Sequence, residues 1–128
     1  MNLKAGDVFS WERTFTEEEV LAFAGLSGDR GRHHMQRDAR GRLMVHGLLT
    51  ASVPTKIGGD LNYIAREMSM EFLHPVYAGD TVRCEVKITE VTPGEGYTGV
   101  AMEAVCRNQD GREVLVGRSR GIIRELIW

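Results

Sequence analysis

The chain has 128 residues, 42% hydrophobic and 27% charged, the length of one globular domain with apolar material for a modest core. Sixteen basic against eighteen acidic residues give a formal net charge of -2, which argues against a general nucleic-acid binder. No apolar run approaches the roughly 20 residues of a membrane-spanning helix, and Met1 to Asp7 lack the apolar stretch of a secretory signal, so one domain over residues 1–128, in the cytoplasm, is expected.

After a first strand, Thr16-Glu17-Glu18-Glu19 reads as a capping box, with Phe15 and Val20 as its hydrophobic staple. Val20, Leu21, Phe23 and Ala24 make the apolar face of a short helix, and Gly25 and Gly28 mark its end. Residues 27–44 carry seven basic or histidine side chains among glycines and read as a long loop, a feature that tends to be functional. His46 to Gly59 has the composition of a buried helix ended by Gly58-Gly59. Pro54 lies inside it, so the helix either kinks there or begins a new turn.

From Tyr63 the pattern switches to strands. Met68, Met70 and Phe72 alternate with other residues, and Val82, Cys84, Val86 and Ile88 alternate with Arg83, Glu85, Lys87 and Thr89 as in a half-buried antiparallel strand. Pro93-Gly94-Glu95-Gly96 is a turn, Val100 to Cys106 a strand, Asn108-Gln109-Asp110-Gly111 a hairpin turn and Val114 to Ile123 the last strand. The order of strand, short helix, loop, apolar helix and four strands predicts an α+β fold with the sheet wrapping the helix. Cys84 and Cys106 fall inside strands and form no CxxC pair, so they read as reduced core residues.

The chemistry-bearing stretch is Leu26-Ser27-Gly28-Asp29-Arg30-Gly31-Arg32-His33-His34. A carboxylate and an imidazole on one loop are the pairing that a general acid/base site needs. The plainer reading of Asp29 is a residue that orders a turn. His33 adjoins His34, and a register change of one residue would exchange their roles. His46 reads as structural at a helix start and His74 as a strand-end residue. Met68, Met70 and Met102 read as core or tunnel lining. Arg30, Arg32, Arg37, Arg40 and Arg42 read as a solvated loop face, with phosphate binding as the functional alternative. Arg66 stands in an otherwise apolar strand as a candidate interface residue.

The element order and three motifs, over residues 8–124, resemble the hot-dog fold and, within it, the MaoC-like (R)-specific enoyl-CoA hydratases. The family's motif reads approximately Ser-Gly-Asp-x-Asn-Pro-x-His, and Ser27, Gly28, Asp29 and His34 match it. His46-Gly47-Leu48-Leu49 is similar to the start of the family's central helix, and Phe72 to Thr81 to a common hot-dog strand and turn. Gly31 and Arg32 stand where the family has Asn and Pro.

The resemblance implies a hydro-lyase acting across the 2,3 double bond of an enoyl thioester, with coenzyme A as part of the substrate and no metal or redox cofactor. It implies that Asp29 and His34 are catalytic and hold the reacting water, and that the Gly47 amide is the oxyanion donor. It also implies a homodimer or higher homo-oligomer, with neither nucleic acid nor membrane as partner. Two rivals stay open. One is a hot-dog acyl-CoA thioesterase, which commonly uses a carboxylate on the central helix; Gly47 to Gly59 contains neither Asp nor Glu. The other is a non-catalytic acyl-CoA-binding protein of the same fold.

Overall fold

The computed structural model describes residues 2–124. β1 spans Val8–Thr14 and leads into the capping box, where the Glu19 N–H donates to the Thr16 hydroxyl at 3.2 Å and the Thr16 N–H donates to the Glu19 carboxylate at 2.9 Å. Phe15 and Val20 are both fully buried at this corner, as the staple requires. The helix they start, α1, runs Glu17–Ser27. It ends at Gly28, whose φ of +80° and N–H bond to the Ala24 carbonyl make a left-handed cap. Val20 and Ala24 carry the buried face, whereas Leu21 is exposed and Gly25 lies inside the helix.

The expected long loop contains one helical turn, α2, at Arg32–Met35. The expected helix from His46 is two pieces, α3 at Gly47–Thr50 and α4 at Ser52–Asp60. Pro54 therefore begins no kink: it is the third residue of a new helix, where no intrahelical partner is needed for its absent N–H. The Thr55 N–H, bonded to the Ala51 carbonyl, resumes the ladder one residue later. Gly58 and Gly59 lie inside the last turn of α4, and Leu61 caps it.

Four strands follow: β2 at Tyr63–Phe72, β3 at Thr81–Pro93, β4 at Tyr97–Arg107 and β5 at Glu113–Arg124. Together with β1 they form one antiparallel sheet in the order β1-β3-β4-β5-β2. The sheet's inward residues Val82, Cys84, Val86 and Ile88 share one buried cluster with Leu49, Ala51, Val53 and Ile57 of the central helices. Cys84 lies directly opposite Cys106, and both are buried and unbridged. A hydrogen bond to the Cys106 thiol, together with burial, pushes the Cys84 thiol far up, so this pair is packing rather than a reactive thiolate. β2 is an edge strand, paired only with β5, and its Met68 and Phe72 are half exposed. Arg66 stands at the bulge between Ala65 and Glu67 and makes no ion pair among the described residues.

Candidate active site

The end of α1, the loop after it and the start of α3 converge on one point. Ser27 prepares it: its hydroxyl donates to the Phe23 carbonyl at 2.7 Å and accepts from the Asp29 N–H at 3.0 Å. The Asp29 carboxylate then accepts from the Gly31 N–H at 3.1 Å through Oδ1. Asp29 thus orders a turn, and the same turn leaves Oδ2 free. The Gly31 N–H bond, assisted by the surrounding histidines and opposed by burial, holds the Asp29 carboxyl below the usual carboxylate range.

His34 is almost fully buried on α2. Met44 clamps this turn twice. Its N–H donates to the His33 carbonyl at 3.0 Å, and its carbonyl accepts from His34 Nδ1 at 2.7 Å. Since a carbonyl only accepts, Nδ1 carries the proton, and in the neutral ring Nε2 carries the lone pair. Nε2 faces Asp29 Oδ2 at 3.7 Å. That separation is too long for a direct hydrogen bond. Two acceptors this far apart can both accept from one donor of two protons seated to the side of the line between them, and a water molecule is such a donor.

His46 forms the back wall. It is 1% exposed, its Nε2–H donates to the Asp29 carbonyl at 2.9 Å, and its ring stacks on His34 with centroids 3.7 Å apart and planes 16° from parallel. Phe23 of α1 meets its edge. The expected structural role at the helix start is therefore met differently: His46 occupies the N-cap position, makes no side-chain capping bond and instead braces the Asp29 turn and the His34 ring. Its Nδ1 is buried without a partner among the described residues, which places the ring's proton on Nε2.

Asp29, His34 and His46 each bring a metal-ligating atom within 4.8 Å of the others. The two imidazoles lie nearly parallel, however, and lone pairs in parallel planes do not converge on a single ion.

Gly47 opens α3 beside His34. The first helical bond of α3 comes from the Thr50 N–H to the His46 carbonyl, so the Gly47 N–H is one of the unpaired donors of the first turn. A Cβ at position 47 would lie 2.9 Å from the Phe72 ring, so only glycine fits without moving that ring. His34 and Gly47 line one cavity of about 350 Å³, with Phe72, His33 and His74 among its other walls. The cavity makes His33 and His74 site residues that were read from sequence as a register neighbour and a strand end. A second cavity, about 280 Å³ and mostly apolar, lies between α4 and the sheet, where Met68, Met70 and Met102 line it.

The loop arginines divide. Arg37 pairs with Glu17 of α1, and Arg42 pairs with Asp38 while its guanidinium covers the Tyr77 ring at 3.7 Å. Arg30, Arg32 and Arg40 make no ion pair among the described residues and face solvent, as a solvated loop face requires.

The MaoC-like domain matches residues 4–108 of this chain. An (R)-specific enoyl-CoA hydratase from Rhodospirillum rubrum is 29% identical over 129 residues, covering 92% of this chain and 86% of that protein. A mitochondrial 3-hydroxyacyl-[acyl-carrier-protein] dehydratase from Solanum lycopersicum is 26% identical over 132 residues, covering 98% of this chain and 80% of that protein. Among solved structures, an (R)-hydratase from A. caviae superposes with a TM-score of 0.83 at 27% identity, covering 95% of this chain and 97% of that one. The wrapped helix and five-stranded sheet are the hot-dog fold of the (R)-hydratases, and this chain belongs to the MaoC-like dehydratase family.

Proposed function

We propose that the protein hydrates a 2-enoyl thioester, or dehydrates the 3-hydroxyacyl thioester, with coenzyme A as the carrier. The observation that carries the reading is the 3.7 Å gap between Asp29 Oδ2 and His34 Nε2. A water donating one hydrogen to each keeps its lone pairs directed away from both bases, toward the β-carbon of a bound enoyl group. As its oxygen bonds that carbon, one proton passes to His34 Nε2 and is then delivered to the α-carbon, while ionised Asp29 holds the remaining O–H. Negative charge that builds on the thioester oxygen is met by the Gly47 N–H at the start of α3. No net proton is gained or lost, and the reverse sequence is dehydration.

The apolar cavity between α4 and the sheet is the proposed seat of the acyl tail. The exposed edge of β2, with half-exposed Met68 and Phe72, is the proposed face of a homodimer. The comparisons with hydratases and dehydratases support the reaction class and are silent on the acyl group. A trans-2-enoyl-CoA series, followed through loss of the conjugated enoyl-thioester absorbance, tests the reading. Absorbance should fall with the thioester intact in the product. Release of free thiol without hydration would make the protein a thioesterase instead.

A further inference from the structure

His33, like His74, is a histidine of this site that the reaction above leaves without a task. Its ring packs on the His34 ring with centroids 3.9 Å apart, and it lines the cavity that also holds His34 and Gly47. Its backbone is fixed, because its carbonyl accepts from the Met44 N–H. Its ring nitrogens make no hydrogen bond among the described residues, and the side chain is exposed. A ring held in place with its polar atoms unused is pre-oriented for a ligand.

Gly31 is what admits it. A Cβ at position 31 would stand 2.9 Å from His33 Cε1, 3.4 Å from His33 Nδ1 and 3.3 Å from Asp29 Oδ1. The backbone of Gly31, at φ -53° and ψ 146°, is open to any residue, so space and not conformation calls for glycine here. The His33 ring therefore occupies the corner between Asp29 and His34 that a side chain at position 31 would have filled.

We propose that His33, admitted by Gly31, hydrogen-bonds the 3-hydroxyl oxygen of the hydrated acyl group and is a further catalytic residue of this site. This rests on the hydratase reading above: the oxygen held between Asp29 and His34 becomes that hydroxyl, and His33 adjoins both. An enoyl thioester brings no oxygen at its β-carbon, and in its complex the water is held by Asp29 and His34; the His33 bond forms as that oxygen joins the acyl chain, in the transition state and the hydroxyacyl complex.

Kinetics in both directions test this. For His33→Leu, hydration should lose about tenfold in kcat at unchanged KM, whereas dehydration should keep kcat and raise KM for the 3-hydroxyacyl thioester about tenfold, the worth of one hydrogen bond. The two changes agree with a fixed equilibrium constant. His33→Asn, which keeps an N–H donor, should recover part of the loss. Gly31→Ala should resemble His33→Leu by displacing the ring, and Gly31→Ala/His33→Leu should be no worse than His33→Leu alone. An equal rise of KM for the enoyl thioester would overturn the role, as would His33→Leu within twofold of wild type or single losses that multiply in the double variant. A wild-type protein that hydrates no enoyl thioester would overturn the hydratase reading itself, and this role with it.

Discussion

On the proposed reading, one methyl group at Gly47 decides whether the thioester and the Phe72 ring can share the cavity. Gly47→Ala should lower kcat/KM about tenfold, because removal of an oxyanion donor costs a few kcal/mol and displacement costs less. Since the obstacle is the Phe72 ring, Gly47→Ala/Phe72→Ala should recover part of the loss; failure of that recovery in steady-state assays would separate Gly47 from the cavity. His46 carries a different load. His46→Leu removes the donor to the Asp29 carbonyl and the stack beneath His34, and it should cost about 1–2 kcal/mol of stability by denaturant melt. At this scale Ser27 and Asp29 were legible in the sequence because each acts on its own segment, and His34 because its spacing from Asp29 matches the family motif. The Met44 clamp was not legible, and His46 was legible as structural but not in its partners, since a main-chain carbonyl and a cross-loop ring stack leave no signature in residue type.

The elements follow local rules wherever their partners are local. The capping box is complete in the structure, and Thr16→Ala should cost about 1 kcal/mol. The break between α3 and α4 was legible as one of two readings of Pro54, and the structure selects the new turn. Hairpins β3–β4 and β4–β5 were legible from their turns. The pairings β1–β3 and β2–β5 were not, since the strands involved are far apart in the chain. The loop after α1 is tied back to α1 by Arg37 to Glu17 and closed on itself by Arg42 to Asp38, and these partners hold both carboxyls below the usual range. Carboxyls lowered in the folded state add stability above their unfolded pKa values, and that stability is lost as pH falls through the folded ones. Thermal midpoints should therefore drop as pH falls below about 4. The drop should be slightly shallower in Glu17→Gln, and only slightly, because these pairs are exposed.

Across the whole molecule, the sheet wraps α3 and α4, and two cavities follow one another along them, one beside His34 lined by Gly47 and Thr50 and one lined by Pro54, Thr55 and Gly58. Filling the second should shorten the acyl chains accepted: Ala104→Leu, on the cavity wall, should shift the preference within an enoyl-CoA series toward shorter substrates. The wrapped helix was legible from the order of the elements, and Met68, Met70 and Met102 as core or tunnel lining, whereas the cavity beside His34 was not, because it arises between segments distant in sequence. On the proposed reading, Asp29 and His34 hold one water together. This is tested most directly by kcat/KM for enoyl-CoA hydration in Asp29→Asn, His34→Gln and the double variant, each checked for an unchanged melting profile. Each single change should cost about a hundredfold or more, with the double no slower than the slower single. An Asp29→Asn enzyme close to wild type, or losses that multiply in the double variant, would contradict it.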